Sequence, residues 1–235
     1  MSLCLVGNYP LDRLEELATE HFHEVENKDL QLKDFIAAGV PLYDEQSLGH
    51  LVKIVPIKDL KQLTVTWPGL PDSRHFWDGD PLGYISHVIG HEGPNSLLSE
   101  LIRQDLASSL SSGSSTRCQS NFSGFSVTLT LTEKGVVEKE EVIRLIFAYL
   151  NAMRAGEGPP EYINEEKKAM SEINFQFVQR SSALPYSKTK ASALNNWIED
   201  TPNQHSIEEL LHHPYSKYSV WRPEEVKRYL NMLTP

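Results

Sequence analysis

The chain predicts an α+β fold: one mainly antiparallel or mixed sheet with several helices packed on one face. Three observations lead there. Phe122-Ser-Gly-Phe-Ser-Val-Thr-Leu-Thr-Leu-Thr132 alternates, so Phe125, Val127, Leu129 and Leu131 share one side of a strand and Ser126, Thr128 and Thr130 the other. His50-Leu-Val-Lys-Ile-Val55 and Gln62-Leu-Thr-Val-Thr-Trp67 are also strand-like, each ended by a proline, Pro56 and Pro68. Long helical patterns follow the strands instead of alternating with them, which favours segregated layers over a parallel βαβ repeat.

At the N-terminus, Ser2-Leu-Cys-Leu-Val-Gly7 suits a buried strand, and Pro10 opens a helix whose Leu11, Leu14, Leu17, Ala18 and Phe22 form a stripe for burial. A strand and helix with no earlier strand to pair with read as the closing unit of another domain. Residues 28–47 have no sustained period and read as a linker. The segment from Leu70 to Asp80 is expected to be a loop. It leads into Tyr84-Ile-Ser-His-Val-Ile-Gly-His-Glu-Gly-Pro-Asn-Ser-Leu-Leu-Ser-Glu-Leu101, a helix, a small-residue turn and a second helix. The serine-rich stretch from Leu106 to Thr116 is read as an edge strand turning into a loop.

After the alternating strand, one long helix is expected from Thr132 to Ala155, stopped by Gly156-Glu-Gly-Pro-Pro160. Another runs from Pro160 through Phe177. Beyond a break at Leu184-Pro185, shorter helices are expected at Ser187–Ile198 and Ser206–Leu211, and a last one at Arg222–Leu233. A further strand is expected where the chain stops at Pro235.

Composition excludes several classes. With 22 basic and 32 acidic side chains the net charge is −10, which repels nucleic-acid backbones and anionic membranes and leaves basic peptides as plausible partners. The 2 cysteines, Cys4 and Cys118, form no CxxC pair and fit a reducing, cytoplasmic setting. No apolar run approaches the ~18 residues of a membrane span, and residues 2–6 lack the features of a signal peptide. Asn121-Phe-Ser123 is a sequon of a kind common by chance.

His87 and His91 share one helical face and suggest zinc, but two histidines are an incomplete ligand set. The zinc-protease signatures H-E-x-x-H and H-x-x-E-H place a glutamate inside the pair, whereas Glu92 lies just outside it and turns away from the shared face. His21 and His23 cannot face one metal from a helix, and the pair His212-His213 completes neither signature. The bland reading of His87 is a partly buried helix histidine bonded to a backbone carbonyl. The serine clusters have no nucleophile elbow, Cys118 has no activating neighbour, and no phosphate-binding loop occurs.

A binding reading remains. Gly90 and Gly93 let backbone approach a ligand around His91-Glu-Gly-Pro-Asn-Ser96, and an edge strand at Leu110-Ser-Ser-Gly113 can be joined by an extended peptide. The other reading is a tight turn and a solvated loop.

Ile54-Val-Pro-Ile-Lys-Asp59, the run from His87 to Leu101 and Thr128-Leu-Thr-Leu-Thr-Glu-Lys-Gly135 together resemble the insulin-degrading enzyme and nardilysin group of the pitrilysin zinc-metalloprotease family. The polar stretch from Gln119 to Ser126 leans towards the nardilysin branch. The resemblance implies a pitrilysin-type module, one of four homologous α+β modules in two bowl-shaped halves that enclose a peptide chamber. Only the first module of such proteins carries the H-x-x-E-H motif. By this likeness residues 1–27 close the preceding catalytic module, 28–47 link, and 48–235 form an inactive second module without its final strand and helix. The chain itself then has no catalytic residue, metal or cofactor, and zinc belongs to the parent enzyme.

The same likeness implies an exosite for the N-terminal end of a peptide at His87, Gly90, His91, Glu92 and Gly93 and at Leu110, Ser111, Ser112 and Gly113. Ser111 and Ser112 depart from the more apolar or glycine residues of the insulin-degrading type. The implied partners are a peptide substrate and the other modules of the same protease. The alternative is a purely structural module that mediates packing without touching substrate.

Overall fold

The computed structural model describes residues 2–28, 43–71, 73, 76–114, 122–156, 158–200, 211–215 and 217–235. The sequon Asn121, Cys118, most of the expected linker and most of the expected helix at 206–211 lie outside them. The chain divides into two compact units, Met1–Lys33 with Lys168–Lys217, and Asp34–Lys167 with Tyr218–Pro235.

The second unit holds a three-stranded antiparallel sheet, β1 (Gln62–Pro71), β2 (Ala107–Ser114) and β3 (Phe122–Leu131), in the order β1-β3-β2. The alternation expected of β3 is realised. Phe125, Val127, Leu129 and Leu131 are buried, with Leu63 and Trp67 of β1 in register beside Leu129 and Phe125. Helices cover that face: α2 (Pro81–Ile89), α3 (Leu97–Arg103), α5 (Lys139–Ala155) and, in the chain's last residues, α8 (Pro223–Met232). The opposite face presents hydroxyls, with Thr64 and Thr128 side chains 3.2 Å apart and the Ser109 hydroxyl donating to that of Thr130 at 2.9 Å. The predicted α+β class with helices on one face is therefore the fold.

Polar clamps fasten α8 to this layer. Arg222 grips Asp78 with two bonds of 2.9 and 2.7 Å, and Arg154 donates to the α8 end at the Leu230 and Leu233 carbonyls, at 3.1 and 2.6 Å. The Trp67 indole N–H donates to the Thr234 carbonyl at 2.7 Å.

Several local expectations fail for identifiable reasons. β1 does not end at Pro68; its register shifts between Trp67 and Leu70, with Gly69 at φ 72°, and pairing resumes to Pro71. Proline lacks a ladder N–H, but at a bulge in a strand with one neighbour that loss is tolerated. His50–Val55 is not a strand: Val52, Ile54 and Val55 are 74, 82 and 92% exposed, because alternation yields a strand only where a partner supplies the ladder. The helix expected at Thr132–Ala155 is broken at Glu138 into α4 (Glu133–Val137) and α5. Thr132 caps α4 through the Gly135 N–H at 2.9 Å, and Gly135 lies so close to Leu106 that a Cβ there would overlap its carbonyl oxygen.

The first unit contains α1 (Leu11–Phe22), the C-terminal part of α6 (Glu161–Gln176) and α7 (Ala183–Asp200). The expected break at Leu184-Pro185 falls inside the first turn of α7, where proline removes no intrahelical bond. Ala193 and Trp197 are buried, and Phe175 stacks on His212 with ring centroids 4.0 Å apart. The expectations for the N-terminal segment are corrected: residues 2–7 form no strand, and no residue of α1 is buried. An apolar stripe is covered only when a second apolar surface meets it, and the described residues of this unit provide none for Leu11, which is 83% exposed.

Gly135→Ala is expected to destabilise the chain by about 1–3 kcal/mol, the usual cost of overpacking, when followed by urea unfolding. Helix propensity alone predicts a gain of roughly 1 kcal/mol, so a stabilised variant would contradict this packing.

Candidate functional site

The expected site residues fall on two adjoining elements, the end of α2 and the strand β2. α2 begins at Asp80, whose backbone is left-handed at φ 32° and whose carboxylate accepts the Gly83 N–H at 3.1 Å and the Tyr218 hydroxyl at 3.1 Å. Burial, reinforced by the Asp80 charge, raises the Tyr218 hydroxyl above the ordinary phenol range and keeps it a donor. Pro81 occupies the first turn, and Leu82, Ile85 and Ile89 anchor the helix in the core. The helix ends at Gly90, whose N–H donates to the Ser86 carbonyl at 2.8 Å.

Beyond Gly90 the chain turns sharply. His91 and Glu92 are exposed, and the His91 Nδ1 accepts the Gly93 N–H at 3.0 Å. A Cβ at Gly93 would collide with the His91 ring, so only glycine permits this fold-back. Asn95 adopts φ 64°, and Ser96 caps α3 by accepting the Ser99 N–H at 3.1 Å.

β2 supplies the second half. Its register with β3 sets Leu110 opposite Leu129 and Ser112 opposite Val127 on the helix-covered face, with Ser111 and Gly113 opposite Thr128 and Ser126 on the hydroxyl face. Among the described residues β2 pairs with β3 alone, so it is the edge strand expected from its sequence. Its other edge carries main-chain groups that this ladder does not use.

Ser86, absent from the expected set, joins the halves. Its hydroxyl donates to the Ser112 carbonyl at 2.8 Å, and the Ser112 hydroxyl donates to the Ser86 carbonyl at 2.8 Å. The signal in the sequence is slight: a small hydroxyl residue within an apolar helix, one turn before Gly90.

His87 approaches Glu166 of α6, Nε2 to Oε1 at 3.9 Å, a carboxylate where the sequence suggests a backbone carbonyl. Burial lowers its pKa first, and Lys167 lowers it further; Glu166 opposes them and His91 adds a smaller lowering. Among the described residues no three His, Cys, Asp or Glu side chains gather into a metal site, and the sequence contains no H-x-x-E-H. A groove of about 620 Å³ between α3 and α5 includes none of the expected residues. The candidate site is thus an edge strand and a turn.

Because His87 binds a proton less readily folded than unfolded, it contributes stability in full above pH ~6.5 that is lost as pH falls below that value. By NMR titration, Glu166→Gln should lower the His87 pKa further and Lys167→Met should raise it. Shifts of the opposite sign would contradict this reading of its surroundings.

Comparison with known proteins places this geometry in context. The family model described as peptidase M16 inactive domain matches residues 1–170. Insulin-degrading enzyme of Homo sapiens is 34% identical over 235 residues, covering 100% of this chain and 22% of that protein. Nardilysin of Rattus norvegicus is 29% identical over 240 residues, covering 100% of this chain and 20% of its own length. The chain thus spans about a fifth of these relatives. A crystal structure of pitrilysin superposes with a TM-score of 0.75 at 22% identity, over 97% of this chain and 23% of that one, and shares its fold. With its family model, its full-length alignments to these peptidases and its α+β architecture in agreement, this chain belongs to the peptidase M16 inactive-domain family.

Proposed function

We propose that the chain is a non-catalytic, substrate-binding and chamber-forming module of a zinc metalloendopeptidase that degrades or processes peptides in the cytoplasm. The observation that carries this reading is the open edge of β2 held against the His91 turn. An extended peptide adds to such an edge through its main chain, and the turn offers His91, Glu92 and Gly93 beside it. Zinc chemistry belongs to another module of the parent. In this reading residues 1–27 close the catalytic module, 28–47 link, and 48–235 form the inactive one.

A second role accompanies the first. Val52, Ile54 and Val55, with Leu11 and Phe22 of α1, are apolar and exposed, which supports packing against further modules of the same protease. A purely structural module would use these surfaces and leave the β2 edge idle.

The net charge of −10 favours basic peptides. Fluorescence anisotropy at low salt is expected to show a dibasic extended peptide binding more tightly than an acidic one of equal length. Equal affinities would remove the charge preference, and no binding of either peptide would favour the structural role. In the parent enzyme His91→Ala should raise KM for long peptides several-fold with little change in thermal stability; lost stability with an unchanged KM would contradict substrate contact.

A further inference from the structure

Ser86 and Ser112 hold each other through two main-chain carbonyls. Each hydroxyl donates to the other residue's carbonyl at 2.8 Å, and the hydroxyl oxygens themselves lie 3.3 Å apart. The Ser86 carbonyl also accepts the Gly90 N–H at 2.8 Å, so one oxygen serves the helix end and the strand together. Gly90 leaves room for this oxygen: a Cβ there would lie 3.0 Å from it, and at an ordinary contact distance of 3.5 Å from the Ser112 hydroxyl. Ser112 is anchored from the other side by its place opposite Val127 in the ladder. Both partners are half-buried, where such bonds are screened less than at an open surface.

We propose that this reciprocal clasp makes Ser86 a positioning residue that sets the register of a peptide on the β2 edge. It rests on the reading of β2 as a peptide-binding edge and deepens it. The clasp acts in two ways. It fixes the spacing between the His91 turn and the strand, so both halves of the site meet a peptide already aligned. It also engages one of the two lone pairs of the Ser112 carbonyl, which biases an incoming strand towards main-chain groups at other positions of the edge. Its ligand is the main chain of an extended peptide, whatever the side chains.

The test uses the whole chain, a labelled extended dibasic peptide and a series of its singly N-methylated analogues, each lacking one main-chain donor. Ser86→Ala frees the Ser112 carbonyl; it should weaken binding about three- to tenfold, the worth of one net hydrogen bond, and move the position at which N-methylation is tolerated. Ser112→Ala loses a hydroxyl but leaves its carbonyl engaged by Ser86; it should weaken binding without moving that position. Ser86→Thr should restore both affinity and pattern. A role confined to stability would shift Ser86→Ala and Ser112→Ala alike, so identical methylation patterns in the two variants overturn the proposal. If Ser86→Ala does not fold, Ser112→Ala and Ser86→Thr decide: the clasp fails if Ser112→Ala moves the pattern or Ser86→Thr departs from the wild type. No binding by the wild-type chain overturns the peptide-edge reading and the clasp together, whereas wild-type binding with an unmoved pattern in Ser86→Ala overturns the clasp alone.

Discussion

The central strand β3 must bury one face and hydrate the other, and much of the second unit follows from that. Phe125, Val127, Leu129 and Leu131 present an unbroken apolar row, while Ser126, Thr128 and Thr130 cannot be placed against helices without stranding their hydroxyls. Helices therefore collect on one side. Because side chains alternate with period two, a slip of one residue in β2 would exchange its two faces. The register that results turns Leu110 and Ser112 towards the helices and leaves Ser111 and Gly113 on the hydroxyl side. The clasp to Ser86 follows from that choice, and with it the closeness of the α2 end to the strand edge.

The sequence was most legible where a segment's own pattern suffices. β3 shows its alternation, β2 its shortage of apolar anchors, and the turn after Gly90 its glycines and proline. It was least legible where structure depends on a distant partner. His50–Val55 carries strand chemistry yet lies unpaired, and the stripe of α1 is amphipathic yet only partly covered among the described residues, with Leu11 and Phe22 exposed. The break between α4 and α5 falls at Glu138, and Gly135 just before it lies against the Leu106 backbone, a contact that no local pattern announces. The Leu184-Pro185 boundary failed for a different reason, since proline interrupts a helix only after its first turn.

The same division holds at the site. The turn and the edge strand could be named from their residues, but the pair that joins them could not, because Ser86 and Ser112 stand 26 residues apart. His87, read from the sequence as a partly buried histidine bonded to a backbone carbonyl, neighbours Glu166 and Lys167 of α6 instead. What remains of the zinc impression is a helix end shaped by two glycines. Gly90 leaves room beside the Ser86 carbonyl, and Gly93 admits the folded-back histidine ring.

Membership in the inactive-domain family gives the fold its setting, and the proposed use of the site is a backbone edge for extended peptides with the His91 turn beside it. Hydrogen–deuterium exchange of the chain with and without a saturating extended peptide tests this most directly. Slowed exchange confined to the segments around 110–113 and 90–93 is the predicted result. Unchanged exchange at both segments, with protection confined to the opposite sheet edge at β1, would contradict it.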